Sequence, residues 1–257
     1  MKTKLFGFLF LAIVLGLGAC KKDSNDSSSG SSVAKILSTA YYENGNLAFT
    51  QTIQYDASGK PVKVTADDGS FYYVAIGPSS VVITSFDTLG VQDGTDNYIL
   101  NAKGLAISQV STWNKPGNKN DMFKHHKNTG KGSSSYTYEY DANNYLIKNI
   151  YTEGGVGDTV IYTISGGNTT TATTVGSFPF VQSYQFLTNK TNTIGNENMG
   201  VSFLGKQDKN LISATTYTFD AGSQTINTSY TYDSKGRVLK VFNPDAPEDY
   251  TIYTYTN

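Results

Sequence analysis

A strict alternation of aromatic and polar residues limits what this chain can fold into more than any other feature. In Tyr136-Thr137-Tyr138-Glu139-Tyr140 the three rings fall on one side of an extended segment, and the hydroxyl and carboxylate on the other, because successive side chains of a strand point to opposite faces. The run Thr251-Ile252-Tyr253-Thr254-Tyr255 uses the same vocabulary, so the last residues are predicted to lie in the sheet. Tyr occurs 19 times and Phe 13 times, while charged residues make up 16%, against an ordinary share of about 25%. That balance excludes a disordered chain and a charged coiled coil. The pattern predicts strands over 33–40, 46–56, 61–66, 70–76, 80–86, 96–101, 104–113, 134–141, 144–152, 158–165, 168–175, 180–187, 210–219, 224–233, 237–242 and 249–256. With no long helical period among them, the chain is all-β and built as an antiparallel meander.

One unit recurs where these strands end. Tyr55-Asp56-Ala57-Ser58-Gly59-Lys60-Pro61, Tyr140-Asp141-Ala142-Asn143-Asn144-Tyr145 and Tyr232-Asp233-Ser234-Lys235-Gly236-Arg237 share a strand end, an Asp turn and a restarting strand, and Leu100-Asn101-Ala102-Lys103-Gly104-Leu105 is a weaker copy. The Asp accepts backbone N–H groups at the turn entry, and a Gly three residues later takes the left-handed conformation that closes a type I turn with a bulge. Asn144 stands where the other copies have Gly, and Asn tolerates that conformation. The copies are spaced too irregularly for a propeller or a solenoid, so they read as hairpins within one meander.

At the start of the chain, Lys2 and Lys4 precede the apolar run Leu5 to Leu15, which is the pattern of a secretory signal and too short to favour a transmembrane helix. Leu17-Gly18-Ala19-Cys20 resembles the lipobox of bacterial lipoproteins. The resemblance implies that Cys20 carries the lipid attachment, its acyl chains (palmitate among them) holding the protein to the outer membrane on its periplasmic or external side. The expected organisation is then a signal peptide over 1–19, a lipidated polar tether over 20–32 and a single all-β domain over 33–257. Cys20 is the only cysteine, so neither an internal disulfide nor a cysteine metal site can form.

The body carries a second resemblance. The Tyr-Asp units are similar to hairpin repeats of large shell-forming bacterial toxins and teneurins. Taken with the lipobox, with Phe203-Leu204-Gly205-Lys206-Gln207-Asp208-Lys209-Asn210-Leu211-Ile212 and with the closing Tyr-Thr strands, the chain more closely resembles a family of Bacteroidetes lipoproteins, a domain of unknown function with a porin-like fold. That resemblance implies a strongly curved sheet or a soluble porin-like barrel, and brings no catalytic residue with it. A membrane-inserted barrel would need an outward apolar band with aromatic girdles at its edges, whereas here Tyr and Thr run throughout.

Motifs for chemistry are sparse. Gly-x-Ser-x-Gly, His-Glu-x-x-His and a phosphate-binding Gly-Lys-Ser/Thr loop are all missing from the sequence, so serine acyl transfer, a zinc helix and nucleotide chemistry have no support. The two histidines, His125 and His126, are adjacent and would diverge on a strand. Carboxylate pairs at Asp67 and Asp68, Asp93 and Asp96, or Glu248 and Asp249 could serve glycoside hydrolysis at the right separation, but all read as turn residues. Asp93-Gly94-Thr95-Asp96-Asn97 offers oxygen ligands to calcium without a full spaced loop. Lys115, Lys119, Lys124, Lys127 and Lys131 crowd the stretch from Asn114 to Ser135, which reads as one long loop.

Formal net charge is −1, so the chain has no overall attraction for nucleic acid, and no metal or other cofactor is expected. The Tyr excess suits either sheet filling or the stacking of rings on sugars. The sequence thus points to a noncatalytic anchored module that binds or scaffolds an extracellular molecule, a glycan or an envelope protein. A carbohydrate-active hydrolase and an accessory subunit of an envelope complex stand as alternatives.

Overall fold

A computed structural model of the protein describes residues 33–114 and 132–256. Cys20, His125, His126 and the lysines from Lys115 to Lys131 lie outside the described residues.

The described chain is almost entirely strand. In order these are β1 (Ile36–Glu43), β2 (Asn46–Tyr55), β3 (Pro61–Ala66), β4 (Phe71–Ile76), β5 (Ser80–Phe86), β6 (Gln92–Leu100), β7 (Ala106–Trp113), β8 (Gly132–Tyr140), β9 (Leu146–Glu153), β10 (Val156–Ser165), β11 (Asn168–Val175), β12 (Phe180–Thr191), β13 (Asn210–Phe219), β14 (Gly222–Asn227), β15 (Ser229–Tyr232), β16 (Val238–Asn243) and β17 (Ala246–Tyr255). Only two short helical pieces interrupt them, α1 (Asn196–Met199) and a 3-10 turn at Ser202–Leu204. All belong to one antiparallel 17-stranded sheet. Sequence neighbours pair as in a meander, and β17 returns to pair with β1 through Thr39↔Tyr253 and Tyr41↔Thr251, curling the sheet into a nearly closed barrel.

Two expectations need correction. The strand expected over 224–233 is two strands parted at Thr228, whose N–H donates to the Ser213 carbonyl at 2.8 Å. β14 pairs with β13 and β15 with β16, so this bend passes the ladder from one neighbour to the next. The loop expected from Asn114 to Ser135 ends sooner, because residues 132–135 already pair with β7 through Trp113↔Gly132, Thr112↔Ser133, Ser111↔Ser134 and Val110↔Ser135. Small serines in this stretch hide a strand that the ladder nonetheless requires.

The Asp turns form as their chemistry dictates. Asp56 Oδ1 accepts the N–H groups of Ser58 and Lys60 at 2.9 and 3.0 Å. Asn101, Asp141 and Asp233 repeat the arrangement. These four turns gather at one end of the barrel, because each follows an even step of the meander or, at Asp233, the split strand.

That end is closed by the connection from β12 to β13, residues 192–209, which contains α1 and the 3-10 turn. Met199, Val201 and Phe203 from this insert join Ile36, Ile53, Val64, Val74, Val81, Ile83, Tyr98, Leu211, Val238 and Tyr253 from the strands in one core. Ile36, Val81 and Val238 are fully buried there, and a side chain so buried contributes about 1.5–3 kcal/mol. Two hydrogen bonds tie the insert to the start of the described chain: Lys35 Nζ donates to the Glu197 carbonyl at 2.6 Å, and Asn198 Nδ2 of the insert donates to the Ala34 carbonyl at 3.0 Å.

The outer face is rich in hydroxyls. Thr84, Thr95 and Thr112 lie side by side across β5, β6 and β7. Thr216 and Thr225 share a hydrogen bond at 2.8 Å, and Ser38 and Thr254 share one at 2.6 Å.

Candidate functional site

The core around the insert identifies which side chains point inward, and alternation carries that assignment along each strand. Tyr98, in T-shaped contact with Phe203 at 5.2 Å, starts an inward row that continues through Gln109, Tyr136, Tyr151 and Asp158 across β7 to β10. Beside it runs Asp96, Ser111, Ser134 and Glu153. Farther round the wall, Tyr162 leads through Ala172 and Gln182 to Tyr217, and Tyr184 faces Thr215.

This part of the interior differs from the core over the insert. Tyr136, Tyr138, Tyr151, Tyr162 and Tyr184 point inward yet are only half-buried, so their rings line a lumen, with Tyr138 packed against the core where the two meet. Tyr136 and Tyr138 stack with planes 4° apart at 6.1 Å, and Tyr151 leans on Tyr136 at 4.9 Å. The Tyr138 hydroxyl donates to Gln109 Oε1. Gln109 Nε2 donates to Ser111 Oγ at 2.9 Å, and Ser111 in turn donates to Asp96 Oδ1. Asp96 is 6% exposed, and these donors compensate the removal of its carboxylate from water.

Burial sets the charge state of the lumen. It pushes the Tyr136 hydroxyl up to about 12, and Asp96 and Glu153 nearby reinforce the shift. Tyr98, Tyr138, Tyr162 and Tyr184 are raised as well, in each case first by burial. The wall therefore presents neutral hydroxyls that both donate and accept, with ring faces between them. Thr215 Oγ1 and the Tyr217 hydroxyl are buried on this wall.

The carboxylate pairs do not converge. Asp67 Oδ2 accepts the Thr50 N–H at 3.0 Å, and Asp68 Oδ1 accepts the Ser70 N–H at 2.8 Å, so both serve the turn after β3. Asp93, Asp96, Glu248 and Asp249 lie in strands and not in turns. Asp93 is the extra residue at the register shift between β5 and β6, while Asp96 points inward. Asp249 Oδ1 accepts the Asn44 N–H at 2.7 Å. No group of three or more His, Cys, Asp or Glu that could hold a metal occurs among the described residues.

Gln109 and Ser111 were not visible as site residues in the sequence, because β7 carries polar residues on both faces, Ser108 and Thr112 outward and Gln109 and Ser111 inward. Ile107 and Val110 are 42% and 47% exposed while Gln109 and Ser111 are buried. The signal was the two-residue spacing of Gln109 and Ser111, readable only once the inner face is known.

A nearly closed antiparallel barrel with one end filled by an insert and a tyrosine-lined lumen beyond it defines the class of this molecule. The same fold occurs in a porin-like protein from Bacteroides uniformis, which is 17% identical and superposes with a TM-score of 0.60 over 87% of this chain and 98% of its own. A porin-like protein from Bacteroides vulgatus, 12% identical, superposes with a TM-score of 0.63 over 87% of this chain and 99% of its own. No protein-family model and no curated protein sequence matches the chain.

Proposed function

We propose that the protein is a noncatalytic lipoprotein, anchored through Cys20 at the bacterial outer membrane, that captures an extracellular glycan in the barrel lumen. The observation that carries this reading is the inward, half-buried set Tyr136, Tyr138, Tyr151, Tyr162 and Tyr184. Flat rings give apolar surface to the C–H faces of a sugar, and their neutral hydroxyls satisfy its polar edges. At the start of the described chain Lys35 and Ala34 are bonded to the insert, which supports a tether that meets the barrel at its filled end.

A glycan array probed with the lipid-free Cys20→Ser protein tests the proposal. Retention should persist in high salt, because stacking and hydroxyl contacts are screened little. Tyr136→Ala and Tyr162→Ala should each lower it at least tenfold. Release of free sugar would favour the hydrolase alternative, and an empty array with one envelope protein cross-linked in cells would favour the accessory-subunit alternative.

A further inference from the structure

The motif Phe203-Leu204-Gly205-Lys206-Gln207-Asp208-Lys209-Asn210 precedes β13 up to its last residue, and it forms the leg by which the insert returns to the barrel wall. This leg is fastened to successive hairpin tips. The Lys206 N–H donates to the Asn144 carbonyl and the Lys209 N–H to the Gly167 carbonyl, both at 2.9 Å. Asn210 and Asn168 are joined twice, by the Asn210 N–H on Asn168 Oδ1 at 3.0 Å and by Asn168 Nδ2 on Asn210 Oδ1 at 3.1 Å. Gln207 fills the space beside Gly195, where a Cβ would lie 1.1 Å from its carboxamide carbon.

Between these fastenings Asp208 is 3% exposed and accepts the Thr169 N–H from β11. The titratable groups around it are few. Tyr184 on β12 interacts with it electrostatically, as Tyr162 and Tyr217 do with Tyr184. On the insert itself Lys206 sits over the Tyr145 ring at 5.6 Å, and Lys209 is exposed. What acts on the Asp208 carboxyl is burial and its bonds with Thr169, with no basic group among the described residues. A buried carboxylate without a cation is costly, and the cost disappears when it holds a proton.

We propose that Asp208 is a protonation latch for the insert: as the neutral acid it seats the insert across the barrel end, and as the carboxylate it loosens the insert from its hairpin tips. The floor of the lumen is then firm in acid and labile toward neutral pH. This device goes beyond ligand capture and does not depend on it.

The sign follows from linkage. Burial raises the seated carboxyl from 3.8 to about 7, whereas in the released insert it is solvated and ordinary. Between those values the seated form keeps a proton that the released form has lost, so rising pH favours release about tenfold per unit. Above about 7 both forms are ionised and the dependence ends.

Amide hydrogen exchange on the full chain, corrected for the intrinsic pH effect on exchange, reads this directly. The Thr169, Lys206 and Lys209 amides should be less protected than those of Val81 and Ile83 in β5. Their protection should fall about 100-fold from pH 5 to pH 7 and level off by pH 8. In Asp208→Asn, which cannot ionise and keeps an acceptor for Thr169, protection should be flat, while Asp158→Asn should keep the wild-type slope. A flat wild-type profile would overturn the latch, and so would an unchanged slope in Asp208→Asn. Equal protection of insert and β5 amides would do the same, since the insert would then open only with the whole barrel.

Discussion

Asp56, Asp87, Asn101, Asp141 and Asp233 head turns that are copies of one another in three dimensions. In each, the side-chain Oδ1 accepts the N–H groups two and four residues on. The residue three on is left-handed, with φ of 76° at Gly59, 75° at Gly90, 76° at Gly104, 71° at Asn144 and 77° at Gly236. A register shift follows every time, at Val62, Asp93, Ile107, Ile147 or Leu239, which the strand register passes over. The Asp87 copy escaped sequence recognition because Phe86 precedes it where other copies have Tyr or Leu, although the turn chemistry lies wholly in Asp87 and Gly90. A Cβ at Gly236 would meet nothing within 4 Å, so Gly236→Val isolates backbone strain and should cost about 1–3 kcal/mol in a urea melt. Asn144→Gly should be neutral or slightly stabilising, since it relieves a side chain held at positive φ. An unmoved melt for Gly236→Val would contradict the turn model.

Among the elements, β8 and the insert show where the sequence stops being informative. Period-two patterning located most strands, because one of their faces is dry and their turns carry Gly, Asn or Asp. The start of β8, Gly132-Ser133-Ser134-Ser135, has neither signal, and its pairing is dictated by β7 alone. Gly132 lies opposite Trp113, and a Cβ there would stand 2.4 Å from the indole ring. Gly132→Ala should therefore displace the ring and destabilise the barrel by about 1–3 kcal/mol, the usual cost of overpacking. Trp113 is the only tryptophan, so its emission spectrum reports the displacement. An unchanged spectrum and melt would place the indole elsewhere. The insert was legible as a motif but not as a floor, because Met199, Val201 and Phe203 bury themselves against residues from across the barrel, contacts that no local period encodes.

At the scale of the whole molecule, closure and surface chemistry bear on whether the barrel wall itself suits a bilayer. β1 pairs with both β2 and β17, so the first and last strands cover one another's edges and leave no long open edge there for association. A barrel inserted in a bilayer shows lipid an apolar band about 25 Å tall. Here the outward row Thr84, Thr95 and Thr112, the Thr216–Thr225 pair and the Ser38–Thr254 pair put hydroxyls where that band would be. Scattered outward apolar residues such as Ile99 and Ile161, 56% and 47% exposed, are ordinary on a water-facing sheet. A porin-like shape and a membrane-inserted barrel are thus separable, and under the anchoring proposed above attachment would rest on acyl chains at Cys20, each buried methylene contributing about 0.8 kcal/mol. If that anchoring holds, Cys20→Ser should move the protein from the membrane pellet to the high-salt supernatant, with its thermal unfolding unchanged because the substituted residue precedes the barrel strands, which begin at Ile36. Retention of that variant in the washed membranes would show that the barrel wall itself holds lipid, and would overturn the reading of its hydroxyl-rich outer face.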